Sequence, residues 1–258
     1  MNGSILRGVL AAGTEAGGVR ATTRSASSAD ALHEETGVEV FAGESDPEAN
    51  RKAVAGADVV LLGVKPYAIL DLLEGLEPAK NAVVVSMAAG LTLEQLQGAA
   101  GEGVPVVRVM PNTPMLVRRG MCTCAAGEHV SDAQMDGVRE LLEAVGEVAV
   151  IPEKNIDAAT ALAGSSPAYF FLVAEALVDA GVQLGLPRDV AEKLVAQAAA
   201  GSGEMLASSG RSATQLRAGV TSPGGTTAAA VRELEESGLR GAFYRAAEAC
   251  SDKAKELG

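Results

Sequence analysis

The chain has 258 residues, a hydrophobic share of 48%, only 3% aromatic residues and a formal net charge of −12. That length suits one large domain or two moderate ones, with a core built from Ala, Val and Leu. The acidic balance excludes a nucleic-acid partner, which needs clustered Lys and Arg.

Residues 1–11 open as an amphipathic helix that Gly13 and Gly17-Gly18 break. A short strand follows over 19–23, then a helix over 29–35, a strand over 38–41 and a helical turn or two over 47–54. Val59-Val60-Leu61-Leu62 is a continuous apolar run bounded by Asp58 and Gly63, the pattern of a strand buried on both faces. Strands over 83–85 and 104–110 come next, separated by helices led by 67–73 and 92–97. Two further strands, 123–126 and 148–151, flank a helix over 132–145. Cys122 and Cys124 alternate on one side of a strand with only His129 nearby, so no metal site is expected. An odd cysteine count also builds no disulfide framework. Strand and helix alternate throughout, which predicts an α/β fold: a doubly wound parallel sheet covered on both sides and ending at Pro152. The first domain is therefore 1–152.

A doubly wound sheet binds ligands at the carboxyl ends of its strands. The loops Thr23-Arg24-Ser25, Val64-Lys65-Pro66, Met87-Ala88-Ala89-Gly90 and Met110-Pro111-Asn112-Thr113-Pro114 all follow strands and should converge on one crevice. Thr23, Arg24, Val64, Lys65, Pro66, Ala88, Ala89, Gly90 and Asn112 are its expected cofactor contacts. An acidic residue after Thr23 would bind a ribose 2′-hydroxyl and signal NAD. Hydroxyls and a guanidinium stand there instead, which favours the 2′-phosphate of NADP, with NAD still possible. The competing reading of Arg24 and of Lys65 is a solvated surface cation.

Beyond Glu153 strand patterns vanish, so the second domain, 153–258, is all helical. A helix over 153–163 is interrupted by Gly164-Ser165-Ser166-Pro167, where a serine cap precedes a proline at the first position of the next helix. That helix, 168–181, is apolar nearly all round, with Tyr169, Phe170, Phe171, Leu172, Val173 and Leu177; it must be buried or sit in a subunit interface. The aromatic cluster is ordinary core behaviour rather than a cofactor box. An alanine-rich helix over 188–208 carries Gly201 and Gly203, a sign of close contact with a neighbouring helix, and a last helix spans 239–257. No apolar run reaches bilayer length and no charged leader precedes the opening residues, so a cytoplasmic protein without a membrane partner is expected.

Val220-Thr221-Ser222-Pro223-Gly224-Gly225-Thr226-Thr227 organises this second half. Pro223 biases Ser222 towards extended backbone, and the two glycines let the main chain come close to a ligand. Thr226 or Thr227 caps the helix that follows. Free first-turn amides, hydroxyls and the positive end of a helix dipole make a receptor for a small carboxylate. The bland alternative is an ordinary Gly-Gly turn before a capped helix.

The run V-T-S-P-G-G-T-T-x-x-A-V-x-x-L-E resembles the signature of the pyrroline-5-carboxylate reductases. Leu162-Ala163-Gly164-Ser165-Ser166-Pro167-Ala168-Tyr169, Gly185-Leu186-Pro187-Arg188, Val64-Lys65-Pro66 and Arg108-Val109-Met110-Pro111-Asn112-Thr113-Pro114 fall in the same family's order, so the resemblance covers nearly the whole chain. It implies a Rossmann-like domain followed by a helical domain that dimerises and assembles further. It also implies hydride transfer from NADPH, preferred over NADH, to the C=N carbon of 1-pyrroline-5-carboxylate, giving L-proline. By the same resemblance Ser222, Gly225, Thr226 and Thr227 bind the substrate, and the Thr227 hydroxyl is the catalytic contact to the ring nitrogen. Neither His33 nor His129 lies near a motif. The chain departs from the family in Ser166, usually glycine, and in Ala218-Gly219, usually polar. It also opens at what resembles the methionine of the family's G-x-G-x-M loop, which makes Met1 a cofactor contact. The preceding strand and loop glycines are absent, and the expectation is that the reading frame continues upstream. A cofactor-incompetent subunit, or a reductase of a related cyclic imino or keto acid, is the alternative.

Overall fold

The computed structural model describes residues 2–257, so Met1 lies outside the described residues. Two compact units divide the chain, Met1–Ser165 with Cys250–Gly258, and Ser166–Ala249.

The first unit runs α1 (Asn2–Ala11), β1 (Arg20–Thr23), α2 (Ala26–Thr36), β2 (Glu39–Ala42), α3 (Ala49–Val54), β3 (Val59–Leu62), α4 (Ile69–Leu76), β4 (Val83–Ser86), α5 (Leu93–Ala100), β5 (Val106–Met110), β6 (Gly120–Ala126), α6 (Asp132–Glu143), β7 (Gly146–Val150) and α7 (Ile156–Ala159). Side chains set several of these starts: the Ser25 hydroxyl accepts from the Ser28 amide, and Thr92–Gln95 and Ser131–Gln134 close capping boxes on α5 and α6.

The expected single sheet is two. β1 and β2 form a parallel pair, and β3-β4-β5-β6-β7 form a separate five-stranded sheet with no ladder between β1 and β3. Nor is the larger sheet wholly parallel. β3, β4 and β5 are parallel, β6 is antiparallel to β5, and β7 runs with β6. Only the 3₁₀ turn Thr113–Val117 joins β5 to β6, too short for the crossover that a parallel neighbour requires. β3 alternates between half-buried and buried rather than being covered on both faces, because it is an edge of its sheet.

The sheet still has two apolar layers. Val60, Val84 and Val106 meet Leu73 and Leu76 of α4, Leu96 of α5 and Ile156 of α7 on one face. On the other, Val83, Val85, Val107 and Val109 meet Ile5 and Val9 of α1 and Val138 and Leu142 of α6. Each such side chain, fully buried, stabilises by about 1.5–3 kcal/mol. Cys122 and Cys124 belong to the second layer, where burial pushes their thiols up to about 11 and about 12. Ion pairs and side-chain hydrogen bonds attach the smaller β-pair. The Arg7 guanidinium grips Glu35 with two hydrogen bonds of 2.6 and 2.7 Å, and Arg20 donates to the carbonyls of Lys52 and Ala55.

The first unit extends beyond the boundary expected at 152. Arg108 on β5 has a side chain only 10% exposed, and it pairs with Glu153 at 3.1 Å and Asp157 at 3.6 Å. Glu153 also accepts the Leu93 amide at 2.6 Å. A buried guanidinium left without these carboxylates would be costly, so the stretch that carries them belongs with the sheet.

The second unit holds α8 (Ser166–Gln183), α9 (Arg188–Ser208), α10 (Ala213–Gly219), α11 (Thr226–Glu236) and most of α12 (Leu239–Leu257). The interruption expected at 164–167 is milder than a break: a π turn, Thr160–Gly164, leads into α8, which opens at Ser166 with Pro167 in its first turn, and the path stays helical. Consequently the path Glu153–Gln183 is, by length and composition, apolar enough to cross a membrane, contrary to the expectation that no segment reaches that length. Pro167, Val178 and Ala191 are the buried residues of α8 and α9. Gly181 lets the two helices close, since an added Cβ would lie 3.1 Å from the Ala191 methyl. Phe170 and Phe171 are 68% and 66% exposed, so within one chain they are not core. Gly201 and Gly203 face open space and make no close helix contact among the described residues.

Candidate functional site

In the first unit the expected loops at the carboxyl ends of β3, β4 and β5 share one edge of the sheet, as their parallel register requires. Val64 and Lys65 are exposed beyond β3, and Pro66 starts a 3₁₀ turn that ends at Ala68. The Asn2 side chain lies so close over Gly63 that any Cβ there would collide with it. After β4, Ala88 and Gly90 are buried and Gly90 turns at φ 84°, a left-handed conformation that a side chain would strain.

A crevice of about 250 Å³ opens beside this loop, bounded by Ala88, Ala89, Gly90, Val109 and Met110. Thr160 of the π turn, Ser165 just after it, the Arg108–Asp157 pair, and Cys250, Lys253 and Ala254 of α12 complete it. Its exposed lining is mostly apolar, with the charged groups of Arg108, Asp157 and Lys253 among it. The contribution of α12 had no signal in the sequence. Arg108 did: a lone arginine in the run Val106-Val107-Arg108-Val109 demands buried partners. Asn112 is buried, and its amide is spent on the main chain, donating to the Ala163 carbonyl at 3.0 Å and accepting the Met121 amide at 2.8 Å. It shapes the wall between β5, β6 and the π turn.

The loop after β1 belongs to the smaller sheet. Arg24 is exposed and its guanidinium has no partner among the described residues, while the Thr23 hydroxyl donates to the Ser25 carbonyl at 3.1 Å.

In the second unit, Ser222-Pro223-Gly224-Gly225 closes a turn, with the Gly225 amide 3.0 Å from the Ser222 carbonyl. Proline second and Gly224 third at φ 70° follow the type II pattern. Gly225 has a different reason to lack a side chain: a Cβ would sit 2.5 Å from the Ser222 hydroxyl. The cap of α11 is Gly225, not Thr226 or Thr227 as expected, and no side chain satisfies the first turn. The two threonines are the first residues of the helix itself, and their hydroxyls are not spent on capping. No acidic residue occupies that first turn. Ion pairs fix the helix from behind, Arg217 and Arg240 both reaching Glu235 at 3.2 and 2.8 Å. Arg240 foremost, then Arg217, holds the Glu235 carboxyl below its ordinary range.

A doubly wound nucleotide-binding sheet with a separate helical unit is the architecture of a two-part nicotinamide-dependent oxidoreductase. Residues 153–257 match the family model described as pyrroline-5-carboxylate reductase dimerisation, and residues 1–90 match one described as NADP oxidoreductase coenzyme F420-dependent. A pyrroline-5-carboxylate reductase of Corynebacterium melassecola is 46% identical over 99% of this chain and 94% of its own length. The Pseudomonas aeruginosa reductase is 40% identical over 100% of this chain and 93% of its own length. Among solved structures, the pyrroline-5-carboxylate reductase of Coxiella burnetii superposes with a TM-score of 0.93 at 38% identity, covering 100% of this chain and 94% of that one. The Plasmodium falciparum pyrroline carboxylate reductase with NADP bound gives 0.84 at 29%, over 99% and 94%. The chain belongs to the pyrroline-5-carboxylate reductase family.

Proposed function

We propose that the chain reduces 1-pyrroline-5-carboxylate to L-proline, and that the first turn of α11 is where the substrate is held. The observation that carries this reading is the unspent amino end of α11: free amides, two uncommitted hydroxyls and no acidic neighbour. The amides of Thr226 and Thr227 and the Ser222 hydroxyl donate to the substrate carboxylate, which the helix dipole favours. The Thr227 hydroxyl accepts a hydrogen bond from the ring N–H. The imine nitrogen enters protonated, so no strong general acid is needed.

A reduced nicotinamide dinucleotide supplies the hydride to the C=N carbon. Small residues at Ala88, Ala89 and Gly90 leave room for it, and Val64, Lys65 and Pro66 line the same sheet edge. Thr23 and Arg24 take the adenosine ribose, and the unpaired guanidinium supports a preference for NADPH over NADH. Asn112 acts by holding the wall of the crevice. The helical unit is the self-association surface, as its family model describes.

Thr227→Ala tests the reading. It lowers kcat/KM by roughly ten- to a hundredfold, the order of one or two hydrogen bonds strengthened at the transition state, with cofactor affinity retained. Wild-type turnover by this variant would remove Thr227 from the mechanism.

A further inference from the structure

We propose that Glu44 limits the preference for a 2′-phosphorylated cofactor, because its carboxylate occupies a backbone amide that the phosphate needs. The inference rests on the reading of Thr23–Ser25 as the ribose end of the cofactor site.

The turn after β2 is stapled to the loop after β1. The Gly43 amide donates to the Thr23 carbonyl at 2.9 Å and the Glu44 amide to the Arg24 carbonyl at 3.0 Å. These bonds fix the Glu44 backbone, and its side chain turns to the amino end of α2, where it accepts the Ala26 amide at 2.8 Å. Ser25 uses its own hydroxyl on the Ser28 amide at 3.3 Å. The other charges of this turn are engaged elsewhere, Asp46 with Lys52 at 2.6 Å and Glu48 with Arg51 at 3.5 Å. Arg24 and Glu44 therefore present opposite charges at one loop, neither neutralised by a third side chain among the described residues.

The two residues suit different ligands. A guanidinium favours a 2′-phosphate. A carboxylate accepts from a ribose 2′-hydroxyl, and it repels a phosphate that carries nearly two negative charges. A sequence scan for an acidic residue directly after Thr23 misses Glu44, which reaches the same loop from the turn after β2. With both present, the chain uses either cofactor, and Glu44 keeps the discrimination smaller than Arg24 alone would make it.

The test measures dissociation constants by calorimetry for NADPH, NADH and adenosine 2′,5′-bisphosphate with wild type, Glu44→Gln and Arg24→Ala. Glutamine removes the charge but keeps an oxygen for the Ala26 amide. Glu44→Gln tightens the two 2′-phosphorylated ligands about tenfold and weakens NADH about threefold, the order expected of one partly screened charge. Equal changes for all ligands, or none, overturn the role of Glu44. If Arg24→Ala loses no more NADPH than NADH affinity, Arg24 does not read the 2′-phosphate, and that reading falls together with the inference. Selective loss in Arg24→Ala with an inert Glu44→Gln sinks the Glu44 proposal alone.

Discussion

Gly225 illustrates how one residue type answers two demands. Gly224 is glycine because its backbone is left-handed, whereas Gly225 has extended backbone and is glycine because Ser222 stands against it. The sequence suggested a single reason, close approach of a ligand to both. The distinction yields a prediction. Gly225→Ala forces the Ser222 hydroxyl out of the turn while leaving α11 intact. Loss of one charge-assisted hydrogen bond, about 1.5–3 kcal/mol, raises KM for the imino acid roughly ten- to a hundredfold. Steady-state kinetics check it, and an unchanged KM would show that Ser222 does not hold the carboxylate. Threonine capping was the local rule that failed here. Thr226 and Thr227 lie inside the helix because Gly225 takes the cap, and the hydroxyls remain available for chemistry.

At the scale of elements, strong apolar runs were legible and connections were not. The runs Val59-Val60-Leu61-Leu62 and Val83-Val84-Val85 read directly as strands. The direction of β6 followed from a short linker rather than from any pattern within the strand. The π turn softened the expected break at Gly164-Ser165-Ser166-Pro167: Gly164 closes the wider turn, while Ser166 and Pro167 open α8, where a proline lacks no needed donor. The separate β1–β2 pair carries a dynamic consequence. Its residues are half-buried or exposed, and side-chain bonds from Arg7 and Arg20 help hold it, whereas every residue of β4 is buried between two paired strands. Amides of β1 and β2 should therefore exchange with solvent well before those of β4 and β5. Hydrogen-exchange mass spectrometry resolves the two groups; equal protection would contradict a separate, weaker pair.

For the whole molecule, the two units differ in how far each can stand alone. The first has two apolar layers about a sheet. The second buries little more than Pro167, Val178 and Ala191 along α8 and α9 and leaves Phe170 and Phe171 in solvent. A face of that kind needs a partner, in keeping with the dimerisation model that matches this region. The proposed chemistry is divided in the same way, with the dinucleotide assigned to small-residue loops of the first unit and the substrate carboxylate to the turn before α11 in the second. Neither completes a reductase by itself. The most direct measurement follows both reactants in the purified full chain supplied with 1-pyrroline-5-carboxylate and NADPH. Imine-dependent oxidation of the cofactor is expected, with one equivalent of L-proline formed for each equivalent consumed. Absence of imine-dependent oxidation, or oxidation without proline, would contradict the proposed function.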